Sequence, residues 1–544
     1  MKQILRKTLL VLVAGVLSST AWADVVETVG ANDKSSANTV HSNTNITLKQ
    51  GETKIITFNN YGNTVYGETT DGWYNWRIQA KQGSTVKFEV RADSYDNTSK
   101  AATSYGDWNY KVSTTRGGEK SNLDWATFKA DMGTASCLAA ITYGSDGTLS
   151  LRATSECSTG RIYYHGHDVS GLDGTDVNIV FYVDHSYLEI TDITSAIGLV
   201  GAIDYSNGYC TVWNEPSKIW INAGEKAYYK IKNYNRGTSA GLYNNWCVWA
   251  ATEASVNDII FCHNHSNTAT NATYSSKPEL SVSDLDGAIV ELTAELTDAG
   301  DGTYTYTCTA VTTKADGTTV SPNLVYQQTK LTSSKYKMYV SPDNNWLAVL
   351  ESAVKTNIGA TGWGTFASDN ILDFSQAEAG LTAYAVTGSS GSAITKDQIT
   401  AIVPEGTPLL LNGTANTTYT VPVATTAGTA PTVNKLVRGE GTDVSSSTGY
   451  VLVNNGGSGI AVFKKIGSDH PKVAKNKAYL ELGGISGSRD ILSIDGGDAT
   501  GINMVNGEGL KINGSEVYYN LQGQRVLYPT KGLYIVNGKK VIVK

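Results

Sequence analysis

Two aspartates are the residues of this 544-residue chain with the clearest potential for acid–base chemistry. Asp93 and Asp184 each fall near the end of a β-forming run, and glycoside hydrolysis needs two carboxylates facing each other across a cleft. Two His-x-His pairs, His165 with His167 and His263 with His265, place imidazoles at a spacing that shares one face of a strand and suits metal ligation. Neither pair has an evident third ligand, so solvated or hydrogen-bonded loop histidines are the plainer reading, and no metal site or cofactor is expected. No Gly-x-Ser-x-Gly elbow, His-Glu-x-x-His helix, P-loop or dinucleotide fingerprint occurs. The aromatics offer a different chemistry. Trp73, Trp76, Tyr95, Tyr105 and Trp108 cluster in sequence, as do Trp213, Trp220, Trp246 and Trp249. Sugar C–H faces stack on indole rings, while neighbouring Asn, Asp and Arg groups bond the hydroxyls. Trp73 and Trp108 stand beside Gly and Asp in turn-like sequence and are read as exposed. With Arg91, Asp93, Tyr95 and Trp249 they form the expected ligand-binding set.

These candidates can be weighed against an internal repeat. Val29-Gly30-Ala31, Leu48 to Glu52, Phe58 to Tyr61 and Trp73 to Trp76 are echoed by Val200-Gly201-Ala202, Ile221 to Glu225, Ile231 to Tyr234 and Tyr243 to Trp246. The offset is 171 residues from Val29 to Val200 and 170 from Trp76 to Trp246. Two tandem copies of about 150 residues each fit this better than one long fold. At the same offset Arg91-Ala92-Asp93 falls on Phe261-Cys262-His263, so the carboxylate is not repeated and at most one copy could be catalytic. Trp76 and Trp246 recur at matched places and read as core.

The elements that must position these side chains are strands. Lys54 to Phe58, Thr85 to Val90, Val177 to Tyr182, Ile289 to Leu296 and Tyr304 to Thr307 are rich in β-formers, and Asp-Gly turn signals stand at 71–72, 146–147, 173–174 and 301–302. The last two could hold calcium, although Asp-Gly is first a hairpin turn. Strands Val180 to Glu189, and Tyr336 to Val340 with Trp346 to Leu350, close the two copies. A short helix is expected after Ser121 or Asn122, with Trp125, Phe128 and Met132 on one face, and a shorter counterpart near Ser281 to Asp286. Each copy reads as an antiparallel β-sandwich. Cys137 with Cys157, and Cys247 with Cys262, flank turns and could face each other as disulfides, leaving Cys210 and Cys308.

The expected organisation is therefore all-β. Residues 1–23 form a signal peptide, 24–192 and 193–354 two sandwich modules, 355–495 a third, spacer β-domain, and 496–544 a small C-terminal β-sandwich. Lys2, Arg6 and Lys7, then Leu9 to Leu17, then Ala21-Trp22-Ala23 have the order of an export signal with its cleavage site. No other long apolar run exists, so no transmembrane segment is expected in the mature chain. A net charge of −7 without a basic stripe argues against nucleic acid as a partner. Abundant Gly (55) and Tyr (31) against few Phe (8) and Met (4) suit secreted β-structure that draws its apolar bulk from Tyr and Trp.

The chain ends in short strands broken by Gln-Gly, Pro-Thr-Lys-Gly and Asn-Gly turns. Its pattern is Leu521-x-Gly523-x-x-Val526, Gly532-x-Tyr534 and, after Gly538, Lys539-Lys540-Val541. It resembles the C-terminal sorting domain of proteins exported by type IX secretion in the Bacteroidetes. Gly364-Thr365-Phe366, Leu381 to Tyr384, Pro404 to Leu411, Tyr450 to Leu452 and Ala474 to Leu480 resemble a module found before such tails in Bacteroides- and Prevotella-type secreted proteins. The two N-terminal copies resemble a further module of those proteins, one that accompanies glycan-targeting chains. The resemblance implies a secreted or outer-membrane-surface location in a Gram-negative bacterium, the type IX secretion machinery as a partner, and a glycan as ligand. The expected function is non-catalytic carbohydrate binding. A secreted glycoside hydrolase acting through Asp93 and Asp184, and a structural or adhesive surface protein, are the alternatives.

Overall fold

A computed structural model describes residues 25–30, 40–62, 75–91, 110–113, 130–184, 187–201, 218–235, 245–255, 259–262, 270–343, 345–483, 489–494, 503–505, 518–521, 525–526, 529–536 and 539–543. Strand accounts for 58% and helix for 3%, so the protein is all-β. The first module contains β1 (Glu27–Val29), β2 (Val40–His41), β3 (Ile46–Leu48), β4 (Thr53–Tyr61), β5 (Asn75–Gln82), β6 (Thr85–Arg91), β7 (Tyr110–Ser113), β8 (Ala135–Tyr143), β9 (Leu149–Cys157), β10 (Ile162–Val169), β11 (Val177–Asp184) and β12 (Tyr187–Ala196). They form one sheet in the order β1-β12-β4-β8-β9-β10-β7 and a second in the order β2-β11-β5-β6, with β3 also on β11. The second module contains β13 (Gly198–Val200), β14 (Ile219–Asn222), β15 (Lys226–Tyr234), β16 (Asn245–Ala251), β17 (Ile259–Cys262), β18 (Ala272–Ser276), helix α1 (Val282–Leu285), β19 (Ile289–Asp298), β20 (Tyr304–Thr313), β21 (Leu324–Leu331), β22 (Lys335–Asp343) and β23 (Trp346–Asn357). Its sheets run β13-β23-β15-β19-β20-β21-β18 and β14-β22-β16-β17. Matched strand for strand, this is the first module's order again.

Three devices recur in both copies. Period-2 alternation turns Trp76, Ile78 and Ala80 of β5 inward, all at 0% exposure, and Trp246, Val248 and Ala250 of β16 likewise. Trp76 packs edge-on to Phe58 with ring centroids 5.6 Å apart, and its indole Nε1 donates to Ser155 Oγ at 3.0 Å. Buried Asn60 donates through Nδ2 to the carbonyl of Met132, and its counterpart Asn233 to that of Leu285, both at 2.9 Å, which ties a helical turn to the strand. In α1 that turn begins with a capping box, Ser281 receiving the amide of Asp284 while Asp284 receives that of Ser281. Gly51 (φ 88°) and Gly224 (φ 87°) sit at the third position of a reverse turn, a backbone shape that excludes a Cβ at little cost only for glycine. The acid after each glycine folds back. Glu52 accepts the amide of Lys49 at 3.0 Å and Glu225 that of Asn222 at 2.6 Å.

The modules are joined without slack. Ile197 alone separates β12 from β13. Ile55, Leu138, Ala140 and Ala196 of the first module pack with Tyr234, Trp346 and Ala348 of the second, and Lys232 Nζ lies 2.7 Å from Asp192 Oδ2 across the same seam. Beyond Asn357 a nine-stranded sheet begins, and its segment contributes one strand, Thr418–Pro422, that pairs antiparallel with residues 353–357 of β23. The core of the second module runs on through Ile358, Phe366, Leu372, Leu409 and Val421. At the C-terminus a five-stranded sheet closes over Tyr518, Tyr534, Val536, Val541 and Val543.

Several expectations are corrected. Cys137 and Cys157 are free and buried: β8 and β9 pair as a hairpin, but the register sets Cys137 opposite Ser155 and Cys157 opposite Ala135. Cys247 is disulfide-bonded and stands opposite Cys262, Cys308 is free, and Cys210 lies outside the described residues. The run Val180 to Glu189 is two strands, because the chain passes after Asp184 from one sheet to the other. The expected helix falls largely outside the described residues. Its end, 130–132, is helical, with Met132 buried. The Asp-Gly turns at 146, 173 and 301 hold glycines with φ of 79–85°, each aspartate accepting the amide two residues on, and Asp71-Gly72 lies outside the described residues. Replacing Trp76 or Trp246 with Ala is expected to cost about 3–5 kcal/mol each through the cavity left behind, read as a lowered denaturant midpoint.

Candidate functional site

Strand register gathers Asp184, Arg91 and the described residues next to Trp73, Asp93 and Tyr95 at one end of the first sandwich. Asp184, the last residue of β11, is opposite Asn75, the first of β5. Arg91, the last residue of β6, is opposite Arg77, which faces Tyr182 of β11 on its other side. The backbones of Asp184 and Arg91 therefore end two strands apart, about 10 Å across the sheet. β4 stops at this end and β5 begins here, on either side of segment 63–74 with Trp73, and β6 stops here before Asp93 and Tyr95. Trp108 instead precedes β7, whose first residue Tyr110 is opposite His165 and whose last, Ser113, is the one nearest this end. β12 begins at the same end, Tyr187 being opposite Tyr61. Trp73, Asp93, Tyr95 and Trp108, and the side chains of Arg91 and Asp184, lie outside the described residues.

The described rim of this end is aromatic and acidic. The rings of Tyr61 and Tyr187 stack at 4.6 Å and 14°, and Tyr61 Oη donates to Glu189 Oε2 at 2.9 Å. Burial, then the hydrogen bond and charge of Glu189, push the Tyr61 phenol up to about 12, so it acts as a donor at all physiological pH. Deeper in, fully buried Asp131 accepts from Thr159, from Arg161 Nε at 2.7 Å and from Tyr163 Oη at 2.6 Å. An acid so fully engaged is a fastener: it holds the helical end at 130–132 against the β9–β10 turn.

On the outer face of the smaller sheet the copies have diverged. In the first, Gln79 donates to Glu89, and Lys81 Nζ reaches Tyr182 Oη at 2.6 Å, so this surface is polar. In the second, Trp249 takes the place of Gln79 and packs with Cys247 and Tyr339. Trp249 is 8% exposed, so of the expected ligand-binding set the one residue with a described side chain is largely covered. His167 packs edge-on to Phe88 at 5.6 Å, the side chain of His165 is outside the described residues, and so are His263 and His265. Among the described residues no group of three or more His, Cys, Asp or Glu is placed to hold a metal ion.

A polar cluster not foreseen from the sequence lies between the second module and the third domain. Trp220, half-buried and outward-facing between the core residues Ile219 and Ile221, has Lys335 Nζ over its ring at 4.3 Å and Lys337 Nζ at 5.8 Å. Asn370 clasps its backbone, accepting from the Trp220 amide and donating to the Trp220 carbonyl, both at 2.8 Å. Asp369 joins Arg438 Nη1 (2.5 Å), Asn222 Nδ2 (2.9 Å) and Lys335 Nζ (3.2 Å), and Lys335 also reaches Glu253 at 3.2 Å. Burial opposes ionisation of Asp369, yet hydrogen bonds from Arg438 and Asn222, and the charges of Arg438 and Lys335, outweigh it and hold the carboxyl at about 2. The alternation Ile219-Trp220-Ile221, a large aromatic at an outward strand position, was the available sequence signal.

In the tail, buried Tyr534 stacks edge-on to Tyr518 at 6.0 Å and accepts the Thr530 amide at 3.1 Å. Gly532 starts the strand that carries it, a Cβ there meeting the Tyr534 ring at 3.5 Å. Lys539 and Lys540 open the last strand, Lys540 exposed and the side chain of Lys539 outside the described residues, as are Gly523 and Gly538. No described helix is long and apolar enough to cross a membrane.

No protein-family profile matches the chain, and no curated protein matches it. Among solved structures, an acyl-CoA hydrolase from Agrobacterium tumefaciens aligns with 39% of this chain and 72% of its own at 9% identity and a TM-score of 0.12, a likeness too slight to carry an argument.

Because the folded carboxyl of Asp369 sits below its ordinary 3.8, its contribution to stability is present above about pH 4 and is lost as pH falls toward 2. Asp369→Asn is expected to lower the thermal midpoint at pH 7 and to lose less stability than the parent between pH 4 and 2, as measured by calorimetry.

Proposed function

We propose that this chain is an exported, surface-displayed, non-catalytic protein that binds carbohydrate through the loop end of its first sandwich, with the second sandwich as a diverged partner and the C-terminal domain as the address read by the type IX secretion machinery at the outer membrane of a Gram-negative bacterium. The observation that carries the reading is that β5 begins and β6 and β11 stop at one end of the first sandwich, so that the described residues flanking Trp73, Asp93 and Tyr95 meet there. Rigid strands that present a cluster of aromatic and polar loop residues give a ligand a pre-organised surface. The stacked Tyr61–Tyr187 pair with Glu189 adds a described aromatic and acidic rim to that end. If both modules bind, the joint without slack fixes their spacing, which sets the gain from engaging one polymer twice. The same convergence brings Asp184 to the end that Asp93's segment leaves, and this keeps hydrolysis through that pair as the second reading.

The test is a glycan-array screen of the mature chain beside its Trp73→Ala and Trp108→Ala variants, with reducing-sugar release assayed on every glycan that binds. Binding that falls at least tenfold in either variant, with no sugar released, is the expected result. Release of reducing ends that stops in Asp93→Asn or Asp184→Asn would establish the hydrolase instead. Binding to no glycan would leave the structural or adhesive role.

A further inference from the structure

The repeat supplies an internal control for one carboxylate. The turn Lys49-Gln50-Gly51-Glu52 and the turn Asn222-Ala223-Gly224-Glu225 have the same backbone and the same acid folded onto the amide three residues back. Glu52 is partly exposed, with Lys54 Nζ at 3.7 Å. Glu225 is 3% exposed, because the third domain sits on its turn: Asn476 Nδ2 donates to the Gly224 carbonyl at 3.3 Å. Glu225 Oε2 accepts the amide of Asn222 and its Nδ2, the latter at 3.1 Å. Glu225 Oε1 is buried with no hydrogen-bond partner, and so is Asn222 Oδ1, an acceptor on the same turn. Both orphan acceptors of this turn lack a donor, and a proton on Glu225 is the smallest thing that would remove one of them.

We propose that the junction between the second module and the third domain is a proton-operated latch, in which Glu225 takes up a proton as the domains dock and the docked state loosens when that proton leaves. The charged groups around it are few and mixed. From the third domain, Asp369 raises its proton affinity and Arg438 lowers it, while Glu225 in turn acts on Lys477, whose ammonium is disfavoured chiefly by burial. From the second module, Lys335 is engaged by Asp369 and Glu253. Burial is the largest influence and pushes the Glu225 carboxyl up to about 7 from the ordinary 4.5. A raised folded value stabilises docking fully below about pH 4.5, and that contribution is lost as pH rises through 7. Asp369 acts below pH 4, so the two effects occupy separate windows.

The Trp220 amide crosses the junction to Asn370 and reports on its opening. Hydrogen-exchange protection of that amide, corrected for intrinsic exchange, is measured in the mature chain at pH 5 and pH 8. The parent is expected to lose roughly tenfold to a hundredfold of protection between the two. Glu225→Gln, which imitates the protonated carboxyl, is expected to hold its protection across the range, and Glu52→Gln to behave like the parent. A parent without pH dependence, a Glu225→Gln protein that keeps the parent's dependence, or one that fails to fold would each overturn the proposal.

Discussion

β23 is the constraint on which the other contacts depend. Its twelve residues pair along one stretch with β13 and β15, and along another with the strand Thr418–Pro422 from the third domain. Trp346 and Ala348 on the same strand press into the seam against the first module, while Leu347, Val349 and Val354 enter the second module's core. One strand thus belongs to three bodies. One edge of β23 is taken by β15 and the other is divided between β13 and the strand Thr418–Pro422, while its two faces meet the first module and the second module's core. The third domain is consequently built onto the second module by backbone ladder and shared core, a closer union than the surface contact common between domains of one chain.

The duplicated architecture separates what the fold requires from what a single copy has acquired. The inward Trp, the buried Asn that holds a helical turn, and the Gly-Glu reverse turn recur, and each satisfies a local demand: bulk for the core, a partner for a carbonyl, a backbone shape with φ above zero. Positions that face outward have drifted. Trp249 stands where the first copy has Gln79, and Trp346 where it has Tyr187, while Tyr61 and Tyr234 keep the residue but not the surroundings, Tyr234 and Trp346 being taken up by docking against the first module. In the first copy the matching tyrosines stack on each other at the end where β11 stops and β5 begins.

The fold was legible because its signals are short-range. Alternation in residues 54–58, 85–90 and 177–182 and the Asp-Gly turns at 146, 173 and 301 are local patterns, and each became the expected element. What stayed hidden depends on register or on distant partners. Cys137 and Cys157 flank a hairpin as expected, but a register shift of two residues separates them, and composition says nothing about register. The strand Thr418–Pro422 gives no sign in its sequence that it belongs to another module's sheet. Glu225 reads like Glu52 until Asn476, 252 residues away in sequence from Gly224, covers it. Of the candidate site, Trp73, Asp93, Tyr95 and Trp108 lie outside the described residues, and the cluster around Trp220 and Asp369 draws on loops that only the folded chain brings together.

The single residue between β12 and β13 also bears on how the protein can be divided. In a chain whose modules are strung on linkers, each can be excised as an independent soluble piece. Here a cut at Ile197 would expose Ile55, Leu138, Ala140 and Ala196 on one fragment and Tyr234, Trp346 and Ala348 on the other. Apolar patches of that kind drive aggregation when nothing covers them. The two sandwiches are therefore one unit of inheritance and of solubility: a protease that nicked the joint would release two sticky halves, and a genetic shuffle that moved either alone would have to replace its missing neighbour.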